Sequence, residues 1–394
     1  MNYFTKNIVG NATLLPTFLF LITILFVPMR TLDGYLVLLT SVCIFFMVPI
    51  RRFYDNQSII LILFSFLYVL ISGFNGVLPG NTYVIGILIC PFLFYLFGKY
   101  LLFAKLSESQ LIRFLLITSV LFFAYTLYYT IIDIRFAGII NIHRHFYFQD
   151  IGDGVSATLN GIISSLGLGG VGFLFFMKHK IDKTLCISLI LVALCALLIN
   201  VHLVNRTAIF ALILIILIGT FYRNKRNILK TILFILFVVV LFFIFNEFNI
   251  VDSDILSAYE NRNDGEGDIS GGGGRFERWS IALSNIFIHP WGFVELTQRT
   301  GYYAHNLWLD TARVAGVIPL GLLLSFTIKV IRSSILIIKH SSTALGYYLL
   351  SLYYCSFVYC MCEPVVDAIP LFFYLFCLIS GILNSYSDEI RHLQ

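Results

Sequence analysis

The sequence predicts an all-α polytopic membrane protein with about 12 transmembrane helices and a large loop between the ninth and tenth. Of the 394 residues, 59% are hydrophobic and 12% are charged, whereas a soluble domain carries about 25% charged residues. The mean hydropathy is +0.90, and apolar runs approach the length of about 20 residues that crosses the hydrocarbon core. The formal net charge is only +5 and no basic block is long, which excludes a nucleic-acid-binding chain.

Apolar windows place the predicted spans along the chain. The stretch 185–222 is long enough for two crossings, and His202, Asn205 and Arg206 mark the polar turn between them. The first window lacks a small-residue cleavage site, so we expect it to be retained as an anchor. The predicted spans are 12–29, 33–50, 58–74, 82–98, 111–132, 155–177, 185–204, 207–222, 228–246, 314–331, 343–362 and 365–383.

Basic residues are divided unequally between the two sides that these spans define. With the N-terminus in the cytoplasm, 17 of the 26 basic residues lie inside, including all 10 lysines. The nine outward basic residues are all arginine, and 16 of the 21 acidic residues lie outside or at the outer edge. This positive-inside distribution predicts that both termini are cytoplasmic. No charge lies near the middle of a predicted span, which argues against an ion-coupled transporter.

The predicted domains are a transmembrane bundle of nine helices over 1–246, an outer loop over 247–313, and three further spans with a cytoplasmic tail over 314–394. The eight cysteines lie within or at the end of apolar stretches. We interpret them as unpaired core thiols, because no pair has the spacing of metal ligands.

The outer loop begins with an acidic segment that contains carboxylate groups at 252–254 and 264–268. A calcium loop counted from Asp264 would require glycine at its sixth position and glutamate at its twelfth. The sequence has Ile269 and Arg275 there. We therefore interpret the segment as solvated, and we expect no metal or other cofactor.

Four glycines then lead into a predicted helix over 275–288. Two arginines, Arg275 and Arg278, are neighbours at i, i+3 on this helix. The pattern is typical of an amphipathic helix at the membrane interface, and the two guanidinium groups suit a lipid phosphate or diphosphate. The residues predicted to share one apolar face are Phe276, Trp279, Leu283 and Ile286.

A second short helix is predicted after the turn His289-Pro290-Trp291-Gly292. Asn306 is a plausible helix cap, which would leave His305 at the mouth of that helix. Asp310 and Arg313 would pair at i, i+3. On these patterns alone, His305 is either a catalytic residue or a simple capping and hydrogen-bonding residue.

Three short motifs carry a resemblance to a known family. The chain contains Gly274-Arg275-Phe276-Glu277-Arg278-Trp279, then His289-Pro290-Trp291-Gly292, then Ala304-His305-Asn306-Leu307-Trp308-Leu309 followed by Gly316. With Asn205-Arg206-Thr207 at an outer span junction, this pattern resembles the bacterial O-antigen ligase and O-antigen polymerase superfamily. The predicted topology, with its large loop toward the C-terminal end, agrees with that resemblance.

The resemblance implies a membrane glycosyltransferase of the bacterial inner membrane. It implies that a glycan leaves an undecaprenyl-diphosphate carrier at the periplasmic face and joins an acceptor hydroxyl with inversion. Arg206 and Arg275 align with arginines thought to hold the diphosphate, and His305 aligns with the base or orienting group for the acceptor. The implied partners are lipid-linked donor and acceptor glycans, membrane lipid, and a chain-length regulator protein.

Fixed guanidinium groups can replace a divalent metal at a departing diphosphate, because arginine binds phosphate bidentately and stays charged. Asp310 or Glu277 is an alternative base to His305. A basic cluster at 143–145 is interpreted as a surface or acceptor-binding element. The remaining residues expected at the substrate are Arg278, Trp279, Arg299, Tyr303 and Asn306.

Four functions are compatible with these patterns. A polymerase would transfer the growing chain onto the next lipid-linked repeat unit, and the abundance of outer arginines favours it because two diphosphate lipids must be accommodated. A ligase would deliver the finished polymer to the lipid A core. A polysaccharide transporter and a non-enzymatic envelope scaffold are more distant alternatives, since neither explains Arg206, Arg275 and His305 together.

Overall fold

A computed structural model describes residues 3–26, 33–77, 81–104, 106–141, 146, 157–176, 183–223, 275–294, 303–341 and 343–392. Over these ranges the chain contains 14 α-helices and no β-strand. The prediction of an all-α fold is therefore confirmed for the described part of the chain.

The helices fall into two groups. Those before residue 224 are α1 (Tyr3–Phe26), α2 (Asp33–Met47), α3 (Asn56–Phe74), α4 (Asn81–Phe103), α5 (Glu108–Ala137), α6 (Ala157–Phe176), α7 (Lys183–His202) and α8 (Arg206–Arg223). Those after residue 274 are α9 (Arg275–Asn285), α10 (Leu307–Ala315), α11 (Val317–His340), α12 (Ala344–Cys362), α13 (Val365–Ala368) and α14 (Pro370–His392).

Eleven of the 12 predicted windows coincide with described helices, and the ninth, 228–246, lies outside the described residues. Seven helices, namely α3, α4, α5, α7, α11, α12 and α14, are long and apolar enough to cross a membrane. Shorter apolar helical segments cover Leu15–Phe26, Gly34–Met47 and Arg206–Leu217. The chain is therefore a multi-pass membrane protein.

Local capping and glycine explain several helix boundaries. Asp55 and Ser107 begin α3 and α5 with capping boxes, in which side chain and backbone satisfy each other reciprocally. The tenth predicted span starts three residues too early, because Gly316 separates α10 from α11. Its φ is +80°, and a Cβ there would lie 2.1 Å from the carbonyl oxygen of Pro290. Only glycine fits that combination of conformation and contact.

Helices α4 and α14 approach each other at backbone distance. A Cβ on Gly98 would lie 2.2 Å from the carbonyl oxygen of Leu378, and one on Gly381 would lie 2.1 Å from that of Tyr95. The two glycines thus form a reciprocal contact of the kind that small residues permit in membrane bundles. Both helices are extensively buried, so this contact lies in the core of the bundle.

A fully buried polar cluster joins the end of α5 to the end of α7. His202 Nε2 lies 3.0 Å from Asp133 Oδ2, and Asn141 Nδ2 donates to the same oxygen at 2.6 Å. The other ring nitrogen of His202 lies 3.0 Å from the Ile139 carbonyl oxygen. These bonds anchor the chain immediately before the turn that starts α8. They therefore position the first residues of α8.

We predict that Gly381→Ala destabilises the protein, because the added methyl group meets backbone rather than a flexible side chain. Overpacking of this kind costs about 1–3 kcal/mol. The measurement is thermal unfolding of the detergent-solubilised protein. Gly321→Ala is the matched control, since a Cβ there meets nothing within 4 Å. Equal melting temperatures for the two variants would contradict the backbone contact.

Candidate functional site

The carboxylate of Glu363 is surrounded by three side chains from distant parts of the chain. Arg275 Nη2 donates to Glu363 Oε1 at 3.0 Å, and the Thr207 hydroxyl donates to the same oxygen. Arg275 Nη2 also lies 3.4 Å from Thr207 Oγ1. His305 Nδ1 lies 3.8 Å from the second oxygen, Glu363 Oε2. We call these four residues the Glu363 cluster.

Glu363 is the residue that ends α12, directly before Pro364. Its side chain is only 2% exposed, although it follows a helix of almost entirely apolar and hydroxyl-bearing residues. A buried carboxylate is stable only when it is paired and hydrogen-bonded. Burial raises the pKa of Glu363, whereas His305, Arg275 and Thr207 together lower it more, and the result lies below its ordinary value.

His305 is held in an unusual backbone conformation, with a φ of +52°. The left-handed region is uncommon for non-glycine residues, and it is found preferentially where the surroundings enforce it. The separation of 3.8 Å between His305 Nδ1 and Glu363 Oε2 is too long for a hydrogen bond. Both atoms are buried and have no hydrogen-bond partner among the described residues. In the Glu363 cluster, a carboxylate oxygen of Glu363 and a ring nitrogen of His305 therefore face each other without a hydrogen bond between them.

The start of α10 fixes this position of His305. The side chain of Asn306 accepts from the backbone N–H groups of Trp308 and Leu309, which confirms the predicted cap. Its Nδ2 donates to the carbonyl oxygen of Met361 at 3.1 Å. Since Met361 lies two residues before Glu363, one asparagine ties the histidine loop to the glutamate loop.

Asp310 holds the other side of the same loop. Its two oxygens accept from the backbone N–H groups of Ala304 and Asn306. Arg313 Nε lies 3.3 Å from Asp310 Oδ1, which confirms the predicted i, i+3 pair. Both carboxylate oxygens are thus committed to the loop backbone, so Asp310 acts on the position of His305 rather than on a substrate.

Helix α9 is connected to this loop as well as to Glu363. Trp279 Nε1 donates to the carbonyl oxygen of Ala304 at 2.8 Å. Arg275 occupies the first position of α9, where its guanidinium group reaches Glu363. The indole and the guanidinium group therefore hold α9 against the two loops that carry His305 and Glu363.

Helix α8 supplies the fourth element of the site. The Asn205 side chain accepts from the backbone N–H of Thr207 at 3.0 Å, and a Cβ on Gly161 of α6 would collide with that side chain. Arg206 begins α8 and is half-buried, next to Thr207. The polar turn predicted between the seventh and eighth spans is confirmed, because α7 ends at His202 and α8 begins at Arg206.

The other predicted site residues are distributed around this centre. Arg278 is buried, on the protein-facing side of α9. Tyr303 contacts Arg313 instead of the Glu363 cluster, with the guanidinium carbon 4.8 Å from its ring centroid. Glu277, the alternative base, is exposed. Arg299, the acidic segment and the basic cluster at 143–145 lie outside the described residues.

The four residues predicted to share the apolar face of α9 differ in burial. Ile286 is buried and Trp279 is half-buried, but Phe276 and Leu283 are more than half exposed. Helix α9 ends at Asn285, three residues before the predicted end. The side of α9 that faces the protein is centred on Arg278 and Ala282.

Glu363 is the residue at the centre of the candidate site, and sequence reasoning missed it. A usable signal was present, because a single carboxylate directly after a long apolar span must be paired or exposed. Its partner, however, lies 88 residues away along the chain. Within the described residues, no group of three or more His, Cys, Asp or Glu side chains is arranged to hold a metal ion.

No protein-family model matches the chain, and no curated protein matches it significantly. The geometry of the Glu363 cluster is therefore the main guide to function.

We predict that Arg275→Ala destabilises the fold, because it leaves the Glu363 carboxylate buried without its cationic partner. Breaking a buried ion pair costs about 3–5 kcal/mol of unfolding free energy. Because Arg275 is 24% exposed, we expect a loss at the lower end of that range. The double variant Arg275→Ala with Glu363→Gln should recover most of it. Chemical unfolding in detergent measures both, and a double variant as unstable as the single one would contradict the pairing.

We also predict a pH dependence for the stabilisation by Glu363. Because its folded-state pKa lies below the ordinary value of 4.5, the ionised form stabilises the fold above that pH. The contribution is lost as the pH falls through the folded-state pKa. The difference in unfolding free energy between wild type and Glu363→Gln should therefore shrink on acidification from pH 7. A difference that is constant with pH would contradict this assignment.

Proposed function

We propose that this chain is a metal-independent inverting membrane glycosyltransferase of the O-antigen polymerase and ligase type. The observation that carries the proposal is the Glu363 cluster, where a buried carboxylate joins Arg275 to Thr207 and faces His305. Arg275 and His305 are the residues that the sequence resemblance selected independently. Arg206, the third of them, is the immediate neighbour of Thr207.

The proposed chemistry uses the cluster as two halves. On the donor side, Arg275 contacts Glu363 and Thr207 through Nη2 alone among the described residues, which leaves Nε and Nη1 for a diphosphate oxygen. A guanidinium group stabilises the negative charge that grows on the leaving diphosphate. Arg206, at the adjacent helix start, would hold the same lipid-linked group.

On the acceptor side, His305 takes the proton of the attacking hydroxyl through Nε2. The hydroxyl oxygen forms a bond to the anomeric carbon from the face opposite the diphosphate, which departs with the bonding electron pair. A protonated Nδ1 would close the 3.8 Å gap to Glu363 Oε2, and the carboxylate would stabilise the imidazolium that forms. This pairing of histidine with a buried carboxylate is a general device of acid–base catalysis.

The proposed topology has 12 spans, cytoplasmic termini and a periplasmic site at the bacterial inner membrane. This topology is supported by the position of the Glu363 cluster, which lies at the start of α8 and the end of α12. Helix α11 begins near the site, and Lys339 lies in its last turn, at the opposite end. An arrangement with lysine-bearing ends inside and the cluster outside follows the positive-inside rule.

We propose a polymerase in preference to a ligase, because nine outward arginines suit two diphosphate lipids. The test uses the purified protein in detergent with lipid-linked repeat units, with and without lipid A core. A ladder of product lengths supports polymerisation, whereas a single shift of the core would replace it with ligation. The absence of any product in both arms would overturn the transferase and leave transport or a scaffold.

Within that assay, Arg206→Ala, Arg275→Ala, His305→Ala and Glu363→Gln should each reduce transfer by about 100-fold or more, as expected for groups that act in the transition state. Glu277→Gln is the matched control, since that carboxylate lies exposed on the same helix as Arg275. Activity near the wild-type level in any of the four variants would remove that residue from the proposed mechanism.

We further predict that transfer persists in excess EDTA, since arginines replace a divalent ion in the proposed mechanism. The rate is measured before and after chelation, and again after magnesium or calcium is restored. Loss on chelation with recovery on addition would instead assign a metal to the acidic segment of the loop.

A further inference from the structure

Helix α9 has three distinct faces. Arg278 and Ala282, four residues apart, are buried against the protein and define its inner face. Because successive residues turn by about 100°, Phe276 and Leu283 share a second face beside it. A third face carries exposed Glu277 and Ser284. An apolar face between a protein contact and a polar face is the arrangement expected for a helix lying in a membrane interface.

Exposed apolar residues also follow the end of α9 along the chain. Phe287 is 83% exposed, Ile288 69% and Trp291 62%. Together with Phe276 and Leu283 they form a set of five large apolar side chains, each more than half exposed. We call this set the α9 apolar strip. A contiguous exposed patch of such residues marks an interaction surface.

The strip lies at the level where two spans end. Asn75, directly after α3, donates from Nδ2 to the carbonyl oxygens of Trp291 and Val314 at 2.8 and 2.9 Å. The backbone N–H of Val317, which begins α11, donates to the carbonyl oxygen of Pro290 at 2.9 Å. Both α3 and α11 are long and apolar enough to cross a membrane. Trp291 is therefore held at their common end.

Exposed apolar residues also lie at these helix ends. Phe74, the last residue of α3, is 83% exposed, and Ile318 near the start of α11 is 46% exposed. Side chains of this kind on membrane-crossing helices face lipid. The turn at 289–292 ties the strip to these helix ends through hydrogen bonds to the carbonyl oxygens of Pro290 and Trp291.

We propose that the α9 apolar strip inserts into the membrane interface, with Trp291 at headgroup depth and Phe287 and Ile288 in contact with acyl chains. The occupant is the bilayer itself. Tryptophan is enriched at that depth because its ring is apolar and its N–H is polar. The strip would hold α9, and with it Arg275, at a fixed height above the membrane. This inference does not depend on the proposed transferase activity.

Tryptophan fluorescence tests this inference directly, since the chain contains three tryptophans. Trp308 is buried and Trp279 is half-buried, so Trp291 is the most exposed reporter. The full-length protein is placed in nanodiscs of phosphatidylcholine brominated near the top of the acyl chains. We expect wild type to lose more emission to the bromolipid than Trp291→Phe does, and iodide in the aqueous phase to quench the two proteins equally.

Trp308→Phe is the matched control and should keep the full quenching by bromolipid, since Trp308 is buried on α10 rather than on α9. If iodide quenches the emission of Trp291 and bromolipid does not, the strip lies in water and the proposal is overturned. If neither quencher reaches Trp291, another protein segment or a second copy covers the strip, which also overturns it. The readout requires no substrate, so an inactive protein can still support the inference.

Discussion

The burial of one carboxylate at the end of a membrane helix is the constraint on which the candidate site depends. Removing Glu363 from water costs several kcal/mol unless a cation and hydrogen bonds replace the lost hydration. The bundle supplies the Thr207 hydroxyl, and the cation comes from Arg275 at the start of α9. The same electrostatic requirement therefore keeps the short helix α9 attached to the bundle.

The cluster also explains why so many nearby polar groups serve as supports. Asp310 satisfies the backbone around His305, Asn306 connects that backbone to Met361, and Trp279 fixes Ala304. Each bond restrains a loop whose conformation is otherwise costly, given the positive φ of His305. In the proposed mechanism, such supports would hold the reacting groups in place, which is what catalysis by positioning requires.

The helices could be predicted from the sequence because span length and apolar composition are local properties. The same holds for the Asn306 cap and the Asp310–Arg313 pair, which involve residues at most four apart. The Glu363 cluster could not be predicted, since it joins segments that only tertiary packing brings together. The side of α9 that faces the protein could not be predicted either, because apolar residues beside a membrane can face lipid, so amphipathicity does not identify the protein side.

The buried cluster of Asp133 and His202 has a consequence for charge inside the bundle. The Ile139 carbonyl can only accept a hydrogen bond, so His202 Nδ1 must carry a hydrogen. The contact of 3.0 Å between Nε2 and Asp133 Oδ2 then requires one more proton between them. Whether this proton is on Nε2 or on Oδ2, the total charge of the His202 and Asp133 side chains is zero. An ionisable couple can thus sit in an apolar environment as a unit that adds no net charge to the bundle.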